Sequence, residues 1–585
     1  MYNNARRRGR IAAALVASAA LVGTAATVTA PPAVSAAPAE DCIPAAPVSG
    51  IAKGDLVNGL TVSSGVDPAP FSGEILGVIK DGIAPGLDMV MADLDSPAIQ
   101  DAGGIWAGMS GSPVYDENGD LIGAVAYGLS WGPSSVAGIT PFEKMDDYLP
   151  ASGFARKVEL SAAQAKTVAA AAGTSADKAM TFKQLRIPRS MVGLSQQRIA
   201  SLKHGAAYTK FQENKYLVKK LSSSGGGIAA ADSAPEDIIA GGNLAATASF
   251  GDITFGGVGT ATSVCNNGVV AFGHPFDFLG DTTLTLHPAD ALYIQPESLG
   301  SPFKVANLGD PAGTIDGDHL AGISGSFGAL PDYATVSSHV SYQGRERTGS
   351  SEVSIPDANA SVTFYEQLAN HDSVLDAIVE GSSDVSWTVT GDNNGTPFEI
   401  SSSDVYTSTY DIAYESVWEL ADLVWVLSDF PGVTIEDVTA DSAVNDNLDT
   451  LRVVGLQQKV GGELVDINRR HPAVVQNGGT LRVVAMLKDS VTGDLSSTPL
   501  SFAVPEKARR HGYLYVEGGD WDYTPVWRAD NLDQLQKVLA KSVANDEVVG
   551  TLSTYSRRSS THTRATSEPT GLVVQGRARA EVKIK

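Results

Sequence analysis

The sequence predicts a mainly β protein, with a helical connector after a first β-rich stretch and C-terminal β-rich accessory domains. Three observations point there. Glycine is abundant at 60 residues and charged residues are sparse at 18%. Short apolar and β-branched runs are separated by Gly, Pro, Asn and Asp turns along most of the chain. The segment after Gly108 reads as a serine-bearing turn feeding a β-hairpin, with Val114-Tyr115 entering, Asp116-Glu117-Asn118-Gly119-Asp120 turning and Leu121 to Tyr127 returning.

Residues 1–36 have the pattern of a secretory signal. Arg6, Arg7, Arg8 and Arg10 precede an Ala-rich apolar run from Ile11 to about Val28, and Val34-Ser35-Ala36 offers a small-residue cleavage site. Gly23, Thr24 and Pro31-Pro32 interrupt the run, which argues against a retained anchor. The expectation is a secreted or extracytoplasmic protein with no stable membrane insertion. Without the signal, 38 basic residues face 66 acidic ones, a net charge of −28. Such a chain is a poor ligand for nucleic acid or anionic lipid.

Residues 37–155 form the serine-bearing half and 156–240 the connector and linker. In the connector, Ser161-Ala162-Ala163-Gln164 is a capping box opening an Ala-rich helix, and Leu194–Leu202 reads as a second short helix. Lys and Arg gather in this stretch, as on a solvated helical surface. Ser222 to Gly227 is a flexible linker. Residues 241–332 are the second half, in which Cys265-Asn266-Asn267-Gly268 is a hairpin signal that leads to His274. Residues 333–505 alternate like β-sandwich modules, for example at Val385–Val389 and Leu481–Ala485. Residues 506–585 hold a helix near Leu532–Val543 and a last strand near Ala580–Ile584.

The chemistry centres on Gly108-Met109-Ser110-Gly111-Ser112-Pro113. The pattern Gly-x-Ser-Gly-x-Pro is how chymotrypsin-like barrels present a nucleophile. A tight turn projects the hydroxyl, and the N–H groups of Gly108 and Ser110 would form an oxyanion hole. Ser324, in Gly322-Ile323-Ser324-Gly325-Ser326, imitates the motif but has Phe327 where a proline is needed and lacks the hairpin. His274, between Gly273 and Pro275, is the candidate general base; His204 and His287 lack comparable context. Asp93 and Asp95, on one strand face, and Asp277 are the candidate acids. Cys42 and Cys265 are the only cysteines and form a candidate disulfide. No metal-ligand spacing is present, and no cofactor is expected.

These segments resemble the SpoIVB-type serine peptidases, a family first described through a sporulation factor that cuts a partner protein outside the cytoplasm. The resemblance runs from Gly54 to about Met145, through Phe71–Val78, Gly103–Pro113 and Ala137–Pro141, and again from about Gly251 to Gly328, centred on Ala271-Phe272-Gly273-His274-Pro275-Phe276. It implies two chymotrypsin-like β-barrels, His274 as catalytic histidine and Asp95, in Asp95-Ser96-Pro97, as the acid preceding the serine. In the sporulation peptidase the histidine block comes first and a PDZ-like segment precedes both; here the serine block leads and no such segment is found. The expectation is thus a serine endopeptidase acting on a protein or peptide, including its own connector. Two alternatives stand beside it. One is a binding or surface protein on the same scaffold, if the block order keeps Ser110 and His274 apart; the other is an esterase or acyltransferase using the same residues.

Overall fold

A computed structural model describes residues 42–130, 132–145, 157–185, 189–192, 194, 198, 233–297, 302–521, 525–556 and 559–585. The signal-like segment 1–36, the Ser222–Gly227 linker, His204 and most of the expected Leu194–Leu202 helix lie outside the described residues.

Two closed, six-stranded antiparallel barrels form the first half of the chain. The first contains β1 (Leu56–Thr61), β2 (Ala69–Ala84), β3 (Leu87–Asp95), β4 (Pro113–Tyr115), β5 (Leu121–Leu129) and β6 (Val136–Pro141). Their order is β4-β1-β2-β3-β6-β5, and β4–β5 pairing closes the ring. β5 is buried along its whole length because it faces both the barrel interior and neighbouring elements. Helix α1 (Pro97–Ala102) sits between β3 and β4, capped by Ser96, whose Oγ accepts from the Ile99 N–H at 3.2 Å.

The connector adds β7 (Lys157–Glu159), helix α2 (Ala162–Ala171), β8 (Thr181–Gln184) and β9 (Arg189–Val192). The capping box is present: Ser161 Oγ accepts from the Gln164 N–H, and Gln164 Oε1 accepts from the Ser161 N–H at 3.0 Å. The connector is more than helices, since β8 extends the first sheet by pairing with β5, and β9 pairs with the second barrel.

That second barrel is built from β10 (Asn243–Gly251), β11 (Thr254–Cys265), β12 (Gly268–Ala271), β13 (Gly280–Gln295), β15 (Gly313–His319) and β16 (Gly322–Phe327). Pairing of β10 with β13 closes it, while β14 (Phe303–Leu308) forms a hairpin with the far end of β13.

The same sheet runs on beyond the barrel through β18 (Arg345–Val353), β17 (Ala334–Tyr342), β21 (Val433–Asn445), β19 (Gly381–Asn393) and β20 (Pro397–Ser408). Helices α3 (Asn359–Leu375), α4 (Ile412–Ser416) and α5 (Trp418–Ser428) pack on it and share one apolar core with the second barrel. The stretch 334–445 is therefore a sheet backed by helices, where the alternation alone predicted a sandwich. A two-sheet sandwich follows at 451–584, with orders β23-β22-β25-β26 and β24-β31-β27-β28-β29 around its own core. Its strands run from β22 (Leu451–Val460), β23 (Glu463–Asp466), β24 (Ala473–Val475), β25 (Thr480–Asp489) and β26 (Leu495–Ala503) to β27 (His511–Gly518), β28 (Val548–Tyr555), β29 (Ser560–Thr566), β30 (Val574–Gln575) and β31 (Arg577–Ile584). Helix α6 (Leu532–Leu539) lies between β27 and β28.

Candidate catalytic site

The serine turn is shaped by two glycines and held by the opposite barrel. Gly108 and Gly111 have φ of +97° and +99°, the left-handed region that side chains disfavour. A side chain on Gly111 would lie 1.8 Å from the Thr260 carbonyl oxygen, so the turn packs directly on β11. The Thr260 N–H donates to the Ser110 carbonyl at 2.8 Å, and its hydroxyl donates to the Gly108 carbonyl at 3.1 Å. Thr262 Oγ1 donates to the Gly111 carbonyl at 2.7 Å. The carbonyls of Gly108, Ser110 and Gly111 thus face the second barrel and are satisfied there. Among the described residues, the N–H groups of Gly108 and Ser110 donate to no protein acceptor, as an oxyanion hole requires.

The histidine is delivered from the other side. The β11–β12 hairpin turns at Asn266 and Asn267, both with positive φ, as a tight hairpin demands. After β12, Phe272 and Gly273 also take positive φ, at +69° and +68°. A side chain on Gly273 would meet the Cβ atoms of Ala124 and Ala126 at 2.9 and 3.0 Å, and its carbonyl accepts from Thr140 Oγ1 of the first barrel. His274 is thereby pressed against the serine turn.

His274 Nε2 lies 2.9 Å from Ser110 Oγ, across 164 residues of sequence. Its Nδ1 lies 2.9 Å from the Pro275 carbonyl oxygen. A carbonyl can only accept, so this contact places the proton of a neutral ring on Nδ1 and leaves Nε2 as acceptor for the serine hydroxyl. The reversed block order does not keep the two residues apart.

Asp95 is not joined to this pair. It ends β3 in an exposed position, where its carboxylate accepts from the Gln100 side-chain amide at 2.7 Å. Asp93 and Asp95 do share a strand face, but that face looks into an outer groove with Glu74 and Gln100. The resemblance chose Asp95 by its place in the sequence and said nothing about the direction of its side chain. Asp277 follows His274 in the loop, and its N–H donates to Asp318 Oδ2 at 2.7 Å.

Asp318, on β15, is a residue that sequence reading missed. Fully buried, it accepts from the N–H groups of Phe276 at 2.7 Å, Asp277 at 2.7 Å and Leu279 at 3.0 Å, and so clamps the loop after His274. Its only sequence signal was an acid in the short strand Gly313-Thr314-Ile315-Asp316-Gly317-Asp318-His319, which carries a second acid, Asp316, two residues earlier. Burial raises its pKa and these N–H bonds oppose the rise.

The other candidates fall into structural places. Ser324 lies within β16, paired with Val270 and Gly317, and is not presented on a turn. His287 is buried against Thr247 Oγ1 and the Gly309 carbonyl, and burial lowers its pKa to about 4. Cys42 and Cys265 are joined by a disulfide. Among the described residues no cluster of three His, Cys, Asp or Glu side chains could hold a metal.

Ser110 and His274 are both buried, at 0% and 1% exposure. Beside the serine turn, the Ala107 N–H donates to the Pro302 carbonyl at 2.7 Å and the Lys304 N–H to the Ala107 carbonyl at 2.9 Å, tying the turn to the start of β14. No family model, curated protein or solved structure matches this chain.

Proposed function

We propose that this protein is a serine endopeptidase of the SpoIVB type, exported from the cytoplasm and acting on a protein or peptide. The observation that carries the reading is the 2.9 Å contact between Ser110 Oγ and His274 Nε2, made by a ring whose Nδ1 proton is fixed on a carbonyl. Ser110 attacks the scissile carbonyl, and His274 takes the serine proton and returns it to the leaving amine. The N–H groups of Gly108 and Ser110 receive the oxyanion. Export is supported by the signal-like segment and by the disulfide, a bond that persists in oxidising compartments. No described helix is long and apolar enough to cross a membrane. Separation of Ser110 and His274 would have favoured the scaffold-only alternative, and their contact weighs against it.

A fluorophosphonate probe, with mass-spectrometric mapping of the labelled serine, tests this. Labelling at Ser110 in wild type and Ser324→Ala, and none in Ser110→Ala, is expected; loss of a triad nucleophile typically costs on the order of a millionfold in turnover. Equal labelling of wild type and Ser110→Ala overturns the assignment. Cleavage of an unfolded polypeptide, against cleavage of a simple aryl ester only, separates peptidase from esterase.

A further inference from the structure

We propose that Asp318 is the acid of this site, positioning and polarising His274 through a single intervening peptide group. The proposal rests on the reading of Ser110 and His274 as a catalytic pair. The peptide in question joins Pro275 to Phe276. Its carbonyl oxygen is the 2.9 Å partner of His274 Nδ1, and its N–H donates to Asp318 Oδ1 at 2.7 Å. The two hydrogen bonds therefore lie at opposite ends of one conjugated unit.

Resonance makes that unit respond as a whole. An anion accepting from the N–H draws the peptide toward its charge-separated form, and the carbonyl oxygen becomes more negative. When His274 accepts the Ser110 proton on Nε2, the developing positive charge faces this enriched oxygen at Nδ1. Asp318 exchanges no proton in the step: the serine O–H bond breaks, Nε2–H forms, and the Nδ1 proton stays in place. A directly bonded carboxylate performs the same task in a Ser-His-Asp triad; here the peptide occupies the space between acid and ring.

The site is built for a fixed negative charge. Asp318 is 0% exposed, and its three acceptor contacts are all to backbone N–H groups of the loop that follows His274. Among the described residues, Asp277 on that loop and His319 beside Asp318 on β15 are ionisable neighbours, and Asp281 on β13 and Asp316 on β15 lie next to His319. The first-barrel surface packed on Gly273 brings Ala124, Ala126 and Thr140, none of them charged. Asp318 bonds the peptide that holds the ring.

The test uses the full chain carrying Ser110→Ala, labelled with ¹⁵N-histidine and ¹⁵N-phenylalanine, so that no turnover is needed. With Asp318 present, His274 should show the Nδ1–H tautomer, and the Phe276 amide should shift with the same midpoint as the His274 ring. Asp318→Asn should lower the His274 midpoint by about one pH unit, the size expected for a lost charge acting across a partly buried contact. It should also erode the single tautomer. Asp277→Asn should do neither. A folded Asp318→Asn chain with unchanged midpoint and tautomer overturns the proposal. Should that variant fail to fold, a Phe276 amide indifferent to His274 titration in the Asp318 chain overturns it equally. A moved midpoint with no probe labelling of Ser110 in wild type removes the peptidase reading and leaves the relay; labelling with an unmoved midpoint does the reverse.

Discussion

The two barrels share a strand count and differ in what they bury. In the first, the core is apolar, made of aliphatic side chains with Phe71, Trp106, Tyr127 and Phe142, and no Asp, Glu, Lys, Arg or His side chain between Cys42 and Met145 is buried. The second barrel and its β14 hairpin bury His274, His287, Lys304 and Asp318 along with a run of threonines. Lys304 Nζ donates to Asn243 Oδ1 at 2.6 Å, and burial lowers its pKa to about 7. Buried ionisable groups are costly unless satisfied, so their concentration on one side marks where fixed electrostatics are kept. On the proposed reading, the first barrel contributes the nucleophile on an apolar frame, and the second contributes the base, the clamp on the base, and the donors that hold the nucleophile's own carbonyls. Neither barrel alone holds both Ser110 and His274.

The disulfide gives the largest way to break that arrangement. Cys42 precedes a segment that lies on β5, where the Ala46 N–H donates to the Leu121 carbonyl at 3.0 Å, and Cys265 ends β11 of the second barrel. The bond therefore ties the two barrels across 223 residues. Loop-closure entropy assigns such a link about 5 kcal/mol. Reduction, or Cys42→Ala with Cys265→Ala, should lower the denaturation midpoint accordingly and loosen the barrels first. An unchanged midpoint means the docking surfaces suffice without it.

Gly111→Ala attacks the same interface from the serine side. The new Cβ would fall 1.8 Å from the Thr260 carbonyl on a backbone with φ of +99°, so the turn must lift away from β11. Separating nucleophile from base costs on the order of a thousandfold in turnover or more. Probe labelling should collapse while the apolar core of each barrel survives, as read by two-step unfolding. Near-normal labelling would show that the turn tolerates a shift the packing forbids.

Acid should separate the barrels by their histidines, since none lies between residues 42 and 145. His287 is held neutral by burial, with a pKa lowered from 6.5 to about 4. The unfolded chain then binds the proton first, so stability is full above pH 6.5 and falls between pH 6.5 and about 4. The loss amounts to about 3 kcal/mol for this residue. Urea titrations across that window should show it, and His287→Gln should flatten it. Equal acid loss in both proteins would assign the sensitivity elsewhere, for which His371, also lowered to about 4, is the next candidate.

Much of this was legible in the sequence because the signals were local. Gly108 to Pro113, the Asn266-Asn267 hairpin and the Ser161/Gln164 capping box each need only neighbouring residues, and each is present. Helix α3 was not legible. It is buried nearly all round, including Asn359, Glu366, Gln367, Asn370 and His371, so it carries no one-sided apolar stripe to betray its period. Asp318 was hidden for a related reason: its partners are backbone N–H groups 39 to 42 residues away, a relation that only the fold creates.

Asp95 is where that distinction gives its smallest and sharpest prediction. A carboxylate that holds a catalytic imidazole directly is indispensable, and its Asn variant typically loses about 10⁴ in turnover with the fold intact. Position in the sequence favours that role for Asp95; the structure gives it an exposed place at the end of β3, bonded to Gln100 at 2.7 Å. Asn can still accept from the Gln100 amide, so even this contact survives the substitution. Asp95→Asn should therefore keep probe labelling and melting within a fewfold and a few degrees of wild type, and Asp93→Asn should do the same. A severe loss in Asp95→Asn with an unaltered melting curve would mean that the site works in an arrangement other than this one, with β3 brought to His274 and the peptide at Nδ1 displaced.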